Sequence, residues 1–237
     1  NMRQQPKALF FDVFGTLVDW HSSITQQMTN KLTPLYGPLD FAAMAVAWRA
    51  RYQPSMEPIR QGKRDFVPLD QLHQENLQHV LAAHNLPKLD QGLCHELAMA
   101  WRKLDPWPDV VPALNKLRER YLLAPVSNGN LALMVALARH AEFRFDAILG
   151  AELAQTYKPM PEVYLRSALL MGLPADACMM VAAHNDDLQA ASKLGFQTAF
   201  FPRPSEFGPD QNTDLLAEAD YDVVAHDLED LARQLLR

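Results

Sequence analysis

Residues 7–12, KALFFD, run apolar side chains straight into a carboxylate. A run that short, apolar on both faces, predicts a strand buried on both sides of a sheet. From about residue 21 to residue 105 the period changes. The segments SSITQQMTNKL, FAAMAVAWRARY, LDQLHQENLQHVLAAH and LCHELAMAWRKL carry apolar residues at helical spacing, with no strand between them. Pro34, Pro38, Pro54, Pro58 and Pro87 punctuate this region.

After DPWPDV, alternation returns. A helix over 109–120 precedes a strand over 122–127, and a helix over 130–140 precedes a strand over 146–151. A helix over 161–171 leads to a strand over 178–183, one over 186–194 to a strand over 198–201, and a strand over 221–225 to a closing helix. This order predicts an α/β fold: a Rossmann-like parallel sheet covered by helices on both faces, with an all-helical cap inserted after the first strand. Residues 1–19 and 106–237 would form the core, and 20–105 the cap. Ligands of such sheets bind beyond the carboxyl ends of the strands. The polar residues there are Asp12, then Ser127 and Asn128, then His184 through Asp187, with Lys158 on a loop.

Composition narrows the partners. With 237 residues, 49% hydrophobic and 21% charged, the chain has the make-up of a soluble domain with a modest insertion. It has no apolar run long enough to cross a bilayer. No secretory pattern opens the chain, and Asn1 ahead of Met2 is set aside as an added residue. Cys94 and Cys178 lie far apart without CxxC spacing, which argues against a disulfide framework or a zinc site and predicts a reducing cytoplasm. The net charge of −6, with no Lys/Arg cluster, excludes nucleic acid as a natural partner. His73, His79, His84 and His95 show no metal-ligand spacing and read as surface or helix-packing residues.

Alone, Asp12 near a glycine reads as a turn residue. Its strand-end companions change that. Ser127 and Asn128 add a hydroxyl and an amide, Lys158 a fixed positive charge, and Asp187 a second acid at a helix start. Asp12, Ser127, Lys158 and the Asp186/Asp187 pair fall in the order of four motifs. With the inserted cap, the chain resembles the haloacid dehalogenase superfamily from end to end.

That resemblance implies a reaction class. Phosphatases of the superfamily carry two acids, two residues apart, in the first motif, and bind Mg²⁺ there. Here the second position is Phe14, which offers neither a proton shuttle nor a metal ligand. The metal-independent 2-haloacid dehalogenase branch is more similar and implies no cofactor. Its mechanism would make Asp12 the nucleophile at C2 of a small carboxylic acid, giving an ester that water hydrolyses at the Asp12 carboxyl carbon. Lys158 would keep Asp12 ionised. Thr16 and Ser127 would position the nucleophile and the substrate carboxylate, and Asp187 would anchor Lys158 or activate the water. Arg49 matches the cap arginine that meets substrate or leaving group, with a solvated helix arginine as the alternative. Tyr164 matches a family position or belongs to the core. Trp20 and Trp48 read as an apolar cleft wall or as core.

The fourth motif departs from the family pattern. Ala182, His184 and Asp186 stand where dehalogenases have serine, asparagine and an aromatic. His184 reads as a pocket donor or a structural histidine. Asp186, if it faced the pocket, would repel halide and favour a cationic leaving group, as in azetidine-2-carboxylate hydrolase. Pointing outward, it would be a helix N-terminal acid. The expected partner is a small carboxylic acid, without nucleic acid or membrane, and a homodimer is compatible with the sequence. A phosphatase or a catalytically inactive binding module on the same fold are the remaining alternatives.

Overall fold

Strand β1 (Ala8–Phe11) is buried along its whole length, because helices cover the sheet on both sides. In this computed structural model, which describes residues 3–237, Leu9 and Phe11 join one apolar cluster and Ala8 and Phe10 the other. Asn1 and Met2, assigned above to the core segment, lie outside the described residues.

The chain leaves β1 through a short ribbon. β2 (Val18–Asp19) carries it into α1 (Trp20–Tyr36), α2 (Phe41–Ala50), α3 (Tyr52–Arg60), α4 (Leu69–Ala83), α5 (Gln91–Ala98) and a 3₁₀ turn over Met99–Arg102. It returns at β3 (Asp105–Pro106), antiparallel to β2. Side chains of Asp19, Asp40 and Asp90 accept the free N–H groups of Ser22, Ala43 and Leu93, which starts α1, α2 and α5.

Then follow α6 (Val110–Leu117), β4 (Leu122–Ser127), α7 (Leu131–Ala141), β5 (Leu149–Gly150), α8 (Ala151–Ala154), α9 (Pro161–Leu170), β6 (Cys178–Ala182), α10 (Asn185–Ser192), β7 (Gln197–Phe200), β8 (Val223–Val224) and α11 (Leu228–Leu235). The six-stranded parallel sheet has the order β5-β4-β1-β6-β7-β8. Residues of α6, α7 and α11 pack on one face, and residues of α9 and α10 on the other. The chain moves outward from β1 through β4 to β5, then crosses to β6. The crevice at this reversal lies at the end of β1, where Asp12 stands.

Some elements differ from the sequence expectation. α3 forms across Pro54 and Pro58, where only breaks were read. Pro54 falls in the first turn, whose N–H groups have no intrahelical acceptor in any case. α1 runs through Pro34, which lies in its last turn. β5 shrinks to two residues: the Asp146 side chain accepts from the Leu123 N–H, and Ala151 already begins α8. β8 likewise keeps only Val223 and Val224. Both cysteines are free and buried, and no helix among the described residues is long and apolar enough to cross a membrane.

Candidate active site

Past β1 the ladder continues for one residue, the Asp12 N–H donating to Val181 O at 3.0 Å. The backbone then turns through Gly15, whose φ of +86° favours glycine. The turn brings Thr16 back onto Asp12: its hydroxyl donates to Oδ2 at 2.7 Å and accepts from the Ala183 N–H at 3.0 Å. From the loop after α8, the Lys158 ammonium lies 3.3 Å from Asp12 Oδ1 and 2.8 Å from Asp187 Oδ2. The Tyr164 hydroxyl donates to Asp187 Oδ1 at 2.5 Å, so both oxygens of Asp187 are engaged.

The Lys158 backbone is clamped as well. Its N–H donates to Asn128 Oδ1 at 2.8 Å, and its carbonyl accepts from Arg60 of the cap at 2.9 Å. Ser127 Oγ accepts from the Gly129 N–H at 3.0 Å and closes the loop after β4. Ser127 is expected to position the nucleophile and the substrate carboxylate; accepting from its own loop leaves its hydroxyl proton free to donate.

The fourth motif makes the second contact with the nucleophile. His184 Nδ1 lies 2.7 Å from Asp12 Oδ2, and Nε2 lies 2.6 Å from Glu206 Oε1. Glu206 comes from the segment between β7 and β8, and its Oε2 accepts from Trp20 Nε1 at 2.9 Å. Sequence patterning did not single out Glu206, which lies in a stretch without periodicity. Its only local signal was an acid in an otherwise proline- and glycine-punctuated loop.

Burial opposes ionisation of Asp12, but Lys158, His184 and the Thr16 hydroxyl together hold its carboxyl well below the usual carboxylate range. Burial likewise disfavours the Lys158 ammonium, and Asp187 and Asp12 outweigh it, so its pKa lies above the ordinary lysine value. For His184 the same contest, burial against Glu206 and Asp12, ends well above the ordinary histidine value. Asp187 is pushed up, first by burial and then by the Asp12 charge. The set forms a largely buried cluster of interacting charges with Asp12 at its centre.

The cap supplies an unpaired cation. The Arg49 guanidinium lies 3.8 Å from the Tyr52 ring centroid, 5.4 Å from that of Phe14 and 5.7 Å from that of Trp20. Its buried Nη1 has no hydrogen-bond partner. Tyr52 is buried beneath the Arg49 guanidinium, and that burial pushes its hydroxyl up in pKa. It was not among the sequence candidates, although it lies three residues after Arg49.

Two sequence candidates are not brought to the carboxylate. Asp186 is exposed, in the first turn of α10 and outside the cluster, so it is a helix N-terminal acid rather than a pocket residue. Trp48 spends its Nε1 on the His73 carbonyl at 3.0 Å and packs edge-on against Trp101 within the cap core. His73 itself is buried, stacked on Trp101, and held neutral by burial and by Arg49.

The donor set does not fit Mg²⁺. Asp12 and Asp187 have their oxygens turned to an ammonium, a hydroxyl, an imidazole and a phenol. Phe14, packed edge-on against Trp101 and His73, occupies the position of a second acid. A hard cation needs several free oxygens, and only Asp12 Oδ1 keeps an open position here, beside the Lys158 ammonium.

Residues 6–195 match the haloacid dehalogenase-like hydrolase family. The crystal structure of a defluorinating L-2-haloacid dehalogenase is 44% identical, with a TM-score of 0.96 over 98% of this chain and 96% of that one. A second L-2-haloacid dehalogenase structure is also 44% identical, with a TM-score of 0.93 over 98% of this chain and 99% of that one. An (S)-2-haloacid dehalogenase of Burkholderia cepacia is 28% identical over 211 residues, 86% of this chain and 88% of that protein.

Proposed function

The chain belongs to the haloacid dehalogenase-like hydrolases, and we propose that it is a metal-independent 2-haloacid dehalogenase working through an ester on Asp12. One observation carries this: a buried, ionised Asp12 flanked by Lys158 at 3.3 Å, with Phe14 in place of a second acid. The two oxygens of Asp12 are not equivalent. Oδ2 accepts two short hydrogen bonds, while Oδ1 faces only the longer ammonium contact and keeps a free lone pair. Oδ1 therefore attacks C2 of a small 2-halocarboxylate, halide departs from the opposite side, and C2 inverts. Arg49 offers a cation in an apolar box to the departing halide or the substrate carboxylate. Water then attacks the Asp12 carboxyl carbon and frees the 2-hydroxy acid. Asp187, with both oxygens engaged, is suited to anchoring Lys158.

The azetidine-2-carboxylate alternative rested on Asp186 facing the pocket. With Asp186 exposed and Arg49 as the unpaired charge, a halide leaving group is favoured. Two free cysteines support a cytoplasmic setting for this activity. The test is a side-by-side assay of 2-chloropropionate, fluoroacetate, azetidine-2-carboxylate and a phosphate monoester with Mg²⁺. Halide release from the first two is expected. Turnover of the phosphate monoester alone would reject the proposal.

A further inference from the structure

His184 touches a carboxylate at each ring nitrogen, Asp12 Oδ2 at 2.7 Å and Glu206 Oε1 at 2.6 Å. Ionised carboxylates only accept, so both nitrogens carry protons and the ring is an imidazolium. A single acid would suffice to orient a histidine. Two, one of them Glu206 with a side chain only 2% exposed and fixed by Trp20, need a reason.

Given the ester chemistry proposed above, on which this rests, we infer that the His184–Glu206 pair serves the second half-reaction: it holds the ester carbonyl oxygen of Asp12 and stabilises the oxyanion that water attack creates. Alkylation of Oδ1 makes Asp12 neutral and leaves Oδ2 as the carbonyl oxygen, still facing the Nδ1–H of His184 and the Thr16 hydroxyl. One of the two negative partners of the imidazolium disappears at that step. Glu206 keeps the other in place, so the ring stays protonated through hydrolysis. Burial alone would favour its deprotonation, and the high pKa of His184 reflects both acids.

Atoms and charges balance on this route. The water oxygen bonds to the Asp12 carboxyl carbon, and the C=O electron pair moves onto Oδ2 between its two donors. Collapse breaks the bond from that carbon to Oδ1, which leaves as the hydroxyl oxygen of the product. One water proton ends on that hydroxyl and the other goes to solvent, and Asp12 is again a carboxylate. A part in halide departure does not suit the pair. In-line displacement sends halide away from the Asp12 oxygens, and Nδ1 is bonded to one of them. The other titratable groups nearby are Lys158 on Oδ1, Asp187 behind it, Arg203, which pairs with Asp109 and also interacts with the Glu206 charge, and His21, whose ring lies against Trp20. Glu206 acts through His184 and is a positioning residue.

Rapid-quench turnover of (S)-2-chloropropionate by the wild type, His184→Leu and Glu206→Gln tests the inference, following halide, 2-hydroxy acid and intact protein mass. For His184→Leu, which has no donor at this place, we expect a burst of one halide per site, then a steady rate about 100-fold below wild type, as for loss of one oxyanion donor. Its mass should show the ester, mapped to the Asp12 peptide. For Glu206→Gln the ester should accumulate increasingly as pH rises through neutrality, because protonated His184 is the active form and is lost on the alkaline side. A purely structural role for Glu206 would not move that profile. Variants that slow halide release without trapping ester, with Glu206→Gln insensitive to pH, would overturn the inference while wild-type turnover upheld the parent reading. A wild type that neither releases halide nor takes an adduct would remove both.

Discussion

Glu206 occupies the space that any side chain on Gly15 would need: a Cβ there would lie 2.0 Å from Glu206 Oε2. The positive φ of Gly15 adds a second demand for glycine. Gly15→Ala should therefore strain the turn and push Glu206 off His184. We expect a loss of about 1–3 kcal/mol, read as a fall in Tm of roughly 2–4 °C per kcal/mol, together with reduced turnover. An alanine variant as stable and as active as wild type would show that the turn and Glu206 give way freely.

Asp12→Asn should abolish turnover by about 10³-fold or more and keep the fold. The amide is nearly isosteric but a poor nucleophile. Lys158 retains Asp187 and His184 retains Glu206, so neither buried cation is stranded. Circular dichroism and steady-state assay on the same preparation check this, and substantial activity in a folded variant would rule out Asp12 as nucleophile.

Chelation should leave activity unchanged. The oxygens of Asp12 and Asp187 are held by protein donors, and Phe14 brings none. Dialysis against EDTA, then assay with and without added Mg²⁺, decides the matter. A large loss restored by Mg²⁺ would mean that Asp12 and Asp187 give up these donors to a metal.

Halide release should be independent of pH across the neutral range. The Asp12 pKa lies below its ordinary 3.8 and that of Lys158 above its ordinary 10.5, so the reactive pair stays ionised between them. The stability that Asp12 contributes has the matching sign: it is fully present above 3.8 and fades as pH falls through the lower folded value. Single-turnover halide-release rates measured from about pH 5 to 9, between the two limits, should superimpose. A limb near neutrality in those rates would place another titrating group in the first step.

Single turnover with excess enzyme in H₂¹⁸O should label the Asp12 carboxylate and leave the first product unlabelled, with inversion at C2. The product hydroxyl is then the former Oδ1. Label in the first product and none in the Asp12 peptide would mean direct attack of water on C2.

Much of the architecture was legible along the chain. β1, β4 and β6 are apolar on both faces, so their short runs stand out between helical periods, and each ends on residues that reach the crevice. Lys158 was legible as a charge on a loop near the strand ends, and Tyr164 only through the family resemblance. Asp186 and Asp187 illustrate the limit. Successive helical residues differ by about 100° around the axis, so on α10 one faces solvent and the other grips Lys158. No local pattern says which, because the rotation of α10 is set by its packing against β6 and β7.

What the sequence by itself determined is the alternation that makes a parallel sheet, the inserted helices, the carboxylate at the end of the first strand and the missing second acid at Phe14. Those follow from near-neighbour periodicity and residue chemistry. Only the tertiary structure decided that Glu206 completes His184, that Trp20 fixes Glu206 from 186 residues away, and that Arg49 lies unpaired among aromatics. Those partners meet through loops and through the closure of cap on core, and a hydrogen bond between distant residues depends on the path of the whole chain between them.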